Sequence, residues 1–446
     1  MDRRGSRTTT TTTSDAVVEF DEAFFADPYA VYAQLRAEGP VARARTPVGL
    51  PVWLVTRYDD ARQALNDPRL SKDGAGFAQV LDRHPVPAER RVVFAQELGQ
   101  HMLSSDPPDH TRLRKLVSRA FTMRAIAGMR PRIEEIATGL ADEMAAGPAE
   151  LDLLDAFAFP LPMTVICDLL GVPEADRTTF RTWSNMLLST DGAAEERAAA
   201  GAAMAQYLGA LVADKRARPA EDMLSAIVAV SEDADRLSFE ETVSMAFLLL
   251  VAGHETTVNL IGNGMLALLL HPDQLAELRA DPDLTPRAVE EFLRFDGPVD
   301  LATFRYTTAP VDIGGTTIPP GEAVLVALAS ADRDAARFPA ADDLNLHRDA
   351  GHLAFGFGLH HCLGAPLARL EGDVAFRTLL ARFPELALAA EPDELTWRSS
   401  MLMRGLKRLP VRLRPDGHAL ARGRVTSTRH ARSSATRRGP GAEPPR

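Results

Sequence analysis

The sequence is poor in cysteine, aromatic residues and lysine, and it has no long apolar run. Two cysteines among 446 residues, Cys167 and Cys362, cannot build a disulfide framework. The longest uninterrupted apolar stretch, Met245–Ala252, is too short to cross a bilayer. The opening residues, MDRRGSRTTTTTTSD, lack the apolar stretch of a secretory signal. A formal net charge of −11 argues against binding nucleic acid over the whole surface. Together these absences lead to the expectation of a soluble protein of a reducing compartment, the cytoplasm.

What is present is ordinary globular composition, with 46% hydrophobic and 25% charged residues. Apolar residues at helical spacing mark Asp27–Gly39, a segment from about Tyr58, and most of the chain from His110 to about Leu270. β signals are few: a short pair around Pro47–Pro51, the stretch Val311–Leu328 with its Gly-Gly and Pro-Pro-Gly turns, and a final pair before Leu413. Residues 71–105 show no clear period and read as a long loop, usually a functional feature. The end of the chain is rich in Arg, Ser, Gly and Pro and nearly free of large apolar side chains, so burial cannot offset its ordering entropy. The expectation is one mainly α domain with small β-sheets over residues 17–414, between disordered tails 1–16 and 415–446.

Two segments break local rules. The first lies in a long apolar helix that opens at a Ser238/Glu241 capping box and stops at His271-Pro272. Its middle reads Gly253, His254, Glu255, Thr256, Thr257. A buried carboxylate is costly unless paired or wet, glycine weakens a helix, and threonine can bond a carbonyl one turn back and bend it. Such a break is either a functional site or a polar crossing point with a neighbouring helix, and both readings stay open here.

The second is FGFGLHHCLG, Phe355–Gly364, followed by an amphipathic helix. Cys362 thus stands at a helix start, where free N–H groups favour a thiolate. Its three glycines permit close backbone approach and turns closed to other residues. Four roles compete for Cys362. A zinc site with His360 and His361 has a poor tetrahedral ligand set. A nucleophile would need a distant base. A c-type haem would need C-x-x-C-H, which is absent. The fourth is a thiolate ligand of non-covalent haem. An inert core thiol fits Cys167 well and Cys362 poorly.

The loop resembles the cysteine-ligand loop of the cytochrome P450 monooxygenases, F-G-x-G-x-[HR]-x-C-x-G, at every position. AGHETT (Ala252–Thr257), EEFLR (with Glu291 and Arg294), HTRLR (His110–Arg114) and the β region around Arg305 follow in family order. The resemblance runs from about Phe20 to Leu413 and is strongest toward soluble actinobacterial enzymes that hydroxylate macrolides and other natural products. It implies the P450 fold, with haem b between a long central helix and the proximal cysteine loop. It implies Cys362 as iron ligand, Phe355 beside the sulfur and the Gly364 N–H as a donor to it. His110, Arg114, Arg305 and His360 would hold the propionates. Glu255 and Thr256 would be the acid–alcohol pair that delivers protons, at a kink by Gly253. Glu291 and Arg294 would form the core brace, although Asp343 stands where many relatives carry its third arm, an Arg. Arg337, Arg348 or a backbone carbonyl could substitute.

The implied activity is a monooxygenase inserting one oxygen atom from dioxygen into a bulky hydrophobic macrolide, steroid-like or other natural product, by hydroxylation or epoxidation. The implied pocket is Phe77, Val80, Leu81, Phe94, Leu248, Val251, Ala252, Leu301, Thr303, Met401 and Leu402. No flavin or iron–sulfur segment is fused, so electrons would come from a separate ferredoxin and its reductase, docked on a local basic patch including Arg112. The competing readings are a peroxide-driven haem-thiolate enzyme and a non-catalytic haem-binding partner protein.

Overall fold

The computed structural model describes residues 17–84, 86, 98–188, 194–230, 237–349 and 351–414. Both expected tails lie outside these residues, and so does Phe94.

Helices dominate, and one sits at their centre. Phe239–Leu270 runs 32 residues, about 48 Å at 1.5 Å per residue. Its start is fixed by the capping box: the Ser238 hydroxyl accepts the Glu241 N–H, and the Glu241 carboxylate accepts the Ser238 N–H. It is the only helix among the described residues long and apolar enough to cross a membrane, and 72% of its apolar window is buried inside the protein. Helices Pro160–Leu170, Ala194–Ala217, Thr285–Asp296 and Ala365–Arg382 pack around it. Glycine makes these approaches possible. A Cβ on Gly264 would stand 2.6 Å from Phe376 and 2.9 Å from Phe292; one on Gly253 would stand 2.9 Å from Ile166. The helix is continuous through Gly253. There the glycine lets the helix pack closely on Pro160–Leu170.

The largest sheet has six strands, in the order Val18–Glu19, Val41–Arg45, Pro51–Val55, Ala323–Val326, Arg305–Thr307, Leu70–Ser71. The expected pair around Pro47–Pro51 is its antiparallel hairpin, Val41 opposite Val55. Val311–Leu328 divides between two sheets: Val311–Ile313 and Thr316–Ile318 form a separate hairpin, while Ala323–Val326 joins the large sheet. The final pair, Ala387–Leu388 and Pro410–Arg412, gains a third strand, Glu150–Asp152. Strands of two or three residues carry too little alternation to be read in advance.

The segment read as a loop, 71–105, contains a helix at Gly74–Asp82. Its start, Gly-Ala-Gly, has weak propensity, but Asp73 caps it by accepting the Gly76 N–H at 2.7 Å. Tertiary packing finishes the argument: Val80 is 2% exposed, and the Phe77 ring lies 5.1 Å from that of Phe304.

Candidate active site

Cys362 is held by a tight loop. Its N–H donates to the Phe355 carbonyl at 2.9 Å, which folds the ten-residue stretch back on itself. Gly356 and Gly358 have φ of 69° and 70°, the left-handed region that favours glycine. Burial raises the thiol above its ordinary range. The N–H groups of Gly364 and Ala365, then the charges of Arg114 and Arg369, pull it part of the way back. The residue nonetheless keeps accessible surface. Cys167 is the opposite case. It is fully buried, lies 3.6 Å from the Met163 sulfur, and burial pushes its thiol up to about 12. The phenyl ring of Phe355 is covered by the Arg369 guanidinium at 4.5 Å. The His361 carbonyl accepts from Arg114 at 2.7 Å, and its ring lies 6.4 Å from that of Phe355.

Beside the loop the fold collects positive charge. His110 and Arg114 share a face of helix Asp109–Ala120 at i, i+4. The His110 ring lies 4.4 Å from that of His360. Arg305 is buried on its strand, and the antiparallel pairing of Ser71 with Tyr306 brings Lys72 alongside. Lys72 is buried too, its ammonium donating to the Thr303 hydroxyl at 2.6 Å. Burial and then the charge of Arg305 push the Lys72 ammonium well below its usual range; burial lowers Arg305 to about 10. His360 is depressed to about 2 by burial and then by Lys72, His110, Arg305 and Arg114. His101 falls to about 4 by burial. The carboxylate facing these groups is Asp106, which already binds the Ser71 hydroxyl and the Lys72 N–H. Both ring nitrogens of His110 are buried without a hydrogen-bond partner. Such a cluster is built to take anionic oxygens. Sequence reading missed Lys72 and His101. Scarcity of lysine was the one available signal for the first.

The other segment the sequence singled out lies on the central helix. Leu248, Val251, Ala252 and Thr256 keep accessible surface on a helix otherwise largely buried, and Leu248, Ala252 and Thr256 repeat at i, i+4. The Thr256 hydroxyl donates to the Ala252 carbonyl at 2.8 Å. Glu255 is 1% exposed; one oxygen accepts from Arg398 at 3.0 Å, and the other, Oε1, has no hydrogen-bond partner. His254 is fully buried, with Nε2 3.0 Å from the Ser184 hydroxyl and Nδ1 2.7 Å from the Leu250 carbonyl.

The remaining expected residues divide. Leu81, Met401 and Phe77 are partly accessible around the core that includes Val80 and Leu301. Val80 and Leu301, 2% and 1% exposed, are packed inside that core and offer no lining surface. Thr303 belongs to the cation cluster, and Leu402 is half-buried. Arg112 is no free surface cation: it pairs with Glu241 at 2.5 Å and Asp109 at 3.2 Å. Glu291 and Arg294 form a fully buried two-point pair at 2.7 and 2.8 Å. The third arm is Arg348, 3.3 Å from Glu291 and bonded to the carbonyls of Pro339 and Ala340. Arg294 also binds the Asp332 and Ala341 carbonyls. Arg337 instead lies over the rings of Tyr58 and Phe338.

Known proteins share this arrangement. The family model described as Cytochrome P450 matches residues 182–407. Cytochrome P450 107B1 of Saccharopolyspora erythraea is 54% identical over 398 residues, 89% of this chain and 97% of that protein. Cytochrome P450 monooxygenase PikC of Streptomyces venezuelae is 53% identical over 410 residues, 91% of this chain and 96% of that protein. The tirandamycin C-bound structure of the P450 monooxygenase TamI superposes with a TM-score of 0.83 at 51% identity, covering 89% of this chain and all of the other. A loop that presents one accessible cysteine at a helix start, a buried cation cluster beside it, and relatives of this closeness over nearly their whole length lead to one conclusion: the chain belongs to the cytochrome P450 family, whose haem is held by a cysteine thiolate, and is a monooxygenase of the natural-product hydroxylase type.

Proposed function

We propose that this monooxygenase inserts one oxygen atom into a bulky hydrophobic natural product of the macrolide or steroid-like class, by hydroxylation or epoxidation. Its two electrons would come from a separate ferredoxin and reductase, in the cytoplasm. The observation that carries the reading is Cys362: a thiol that keeps accessible surface while receiving two backbone N–H groups.

The residues present fit haem. Cys362 would hold its iron, and the N–H groups of Gly364 and Ala365 would moderate the charge on the sulfur. Two propionates would answer the cations: Arg114 and Arg305, with His110 and His360, and with Lys72 and His101 added from the structure. The orphaned nitrogens of His110 support this, because a buried donor without a partner is costly. When bound, haem supplies dioxygen activation, which the thiolate promotes.

The chain's own residues then have three tasks. Leu248, Val251 and Ala252 offer apolar surface to the substrate. The partly accessible ring of Phe77 and the flexible Met401 would extend it. Insertion of one oxygen atom consumes two protons as the other atom leaves as water, and Glu255 and Thr256 would deliver them. That TamI, 51% identical, was solved with tirandamycin C bound makes this compound the first substrate to try.

The test is spectroscopic. Reduced protein under carbon monoxide should show the red-shifted Soret band of thiolate ligation, and Cys362→Ala should lose it. Survival of that band in the variant would refute the ligand assignment.

A further inference from the structure

Of the buried carboxylates on helices, Glu291 and Glu255 both meet an arginine, and the protein treats them differently. Glu291 has both oxygens engaged: Oε2 by Arg294, and Oε1 by Arg294, Arg348 and the Asn345 N–H. Its main partner Arg294 has no accessible side-chain surface. That is what a structural brace requires. Glu255 has one oxygen engaged and one without a hydrogen-bond partner. Its cation, Arg398, keeps 30% of its side-chain surface accessible.

Arg398 comes from a different part of the chain, and its support is firm. Trp397 bridges Leu406, the Arg398 N–H donates to the Gly405 carbonyl at 2.9 Å, and Lys407 N–H donates to Thr396 at 2.8 Å. The Trp397 ring lies under the Arg404 guanidinium at 3.4 Å, and Arg404 binds Asp296. Gly405 presses on the central helix at Asn259, one turn beyond Glu255; a Cβ there would stand 2.0 Å from the Asn259 Oδ1. This close approach lets Arg398 reach the acid. His254, 3.8 Å from Glu255, cannot take its place: burial depresses the ring and Nε2 is spent on Ser184.

We infer that Arg398 is a positioning residue for proton delivery: it holds Glu255 by one oxygen on the solvent side and leaves the other free to carry the proton. The inference rests on the relay reading of Glu255 and Thr256. The proton arrives from water, forming an O–H bond on the carboxylate as one in water breaks, with solvent resupplying that proton. It passes to the Thr256 hydroxyl oxygen as that hydroxyl releases its own proton onward, and the carboxylate is restored. No electron moves at these residues. A simple brace would have filled both oxygens, as at Glu291.

The experiment compares wild type, Arg398→Gln, Arg398→Lys, Glu255→Gln and the Arg398→Gln/Glu255→Gln double variant. Each is first checked for the carbon monoxide Soret band. Arg398→Met replaces the Gln variant if that loads haem poorly. The probe is tirandamycin C with surrogate ferredoxin and reductase. The readout is hydrogen peroxide released per dioxygen consumed, in H2O and D2O, which needs no product to form. Glu255→Gln and Arg398→Gln should both raise the peroxide fraction and change the solvent isotope effect, the charge-neutral Arg398 variant by roughly tenfold or less in proton-delivery rate. Arg398→Lys should restore most of both, and the double variant should be no worse than Glu255→Gln. If Glu255→Gln changes both readouts and Arg398→Gln neither, the inference fails and the relay reading stands. If Glu255→Gln changes neither, the relay reading itself fails. Additive effects in the double variant overturn the inference as well, since Arg398 would then act elsewhere.

Discussion

At the scale of single residues, burial decides what each ionisable group can do. Glu371 is fully enclosed on the helix that follows Cys362. Burial raises its carboxyl to about 8; Thr257 is near enough to lower it slightly, yet neither oxygen makes a well-formed hydrogen bond. The folded protein therefore keeps a proton on Glu371 that the unfolded chain loses above its ordinary value of 4.5. Stability contributed by this group falls as pH rises from about 4.5 to about 8. Glu371→Gln should remove that slope and stabilise the protein at pH 7 by on the order of 3 kcal/mol. Melting temperatures of both proteins between pH 5 and pH 8 check this; parallel slopes would show that Glu371 is ionised in the fold.

At the scale of elements, the central helix shows how small residues set a site's position. Its flanks are apolar on nearly all faces, so it belongs in the core. Gly264 lets it approach Phe376, on the helix that starts three residues after Cys362. The spacing between the central helix and the helix that follows Cys362 therefore depends on a glycine remote from both Cys362 and Glu255. Gly264→Ala should destabilise by about 1–3 kcal/mol through overpacking, despite alanine's better helix propensity. Thermal unfolding reads it: a gain in stability would show that the phenylalanine rings move aside at no cost. The helix Gly74–Asp82 teaches the converse. Weak propensity hid it, and the Asp73 cap and the packing of Val80 and Phe77 created it.

At the scale of the whole molecule, charge is sorted. The chain is acidic, at −11 overall, yet its interior gathers Lys72, Arg305, Arg114 and three histidines around one recess. The brace at Glu291 ties helix Thr285–Asp296 to the segment 332–348, which leads into the cysteine loop. Arg348, carrying the third arm and three backbone carbonyls, is 9% accessible. Arg348→Ala should cost about 2 kcal/mol, because it takes one cation from the buried Glu291 carboxylate and unties three carbonyls of the turn 339–343. Arg337→Ala, which removes only ring contacts, should cost about 1 kcal/mol or less. Urea unfolding of the two variants decides which arginine is the third arm; equal losses would argue against Arg348.

The sequence by itself determined the parts of this protein that chemistry marks locally. A cysteine among glycines at a helix start, polar residues inside an apolar helix, and a capping box each break or satisfy a rule within a few residues, so they can be read without a fold. They carried the family and singled out Cys362, Glu255 and Thr256 as candidates, while helical periodicity carried the mainly α class. Tertiary structure decided what depends on residues far apart in the chain. Arg348 replaces the missing arginine at Asp343 from five positions later, because its reach and not its register matters. Lys72 joins Arg305 only through a strand of two residues. Val80 and Leu301 turn into the core, since an apolar side chain looks the same in sequence whether it faces a ligand or its neighbours. Arg398 meets Glu255 across 143 residues. Such pairings follow from packing, and periodicity along the chain does not record them.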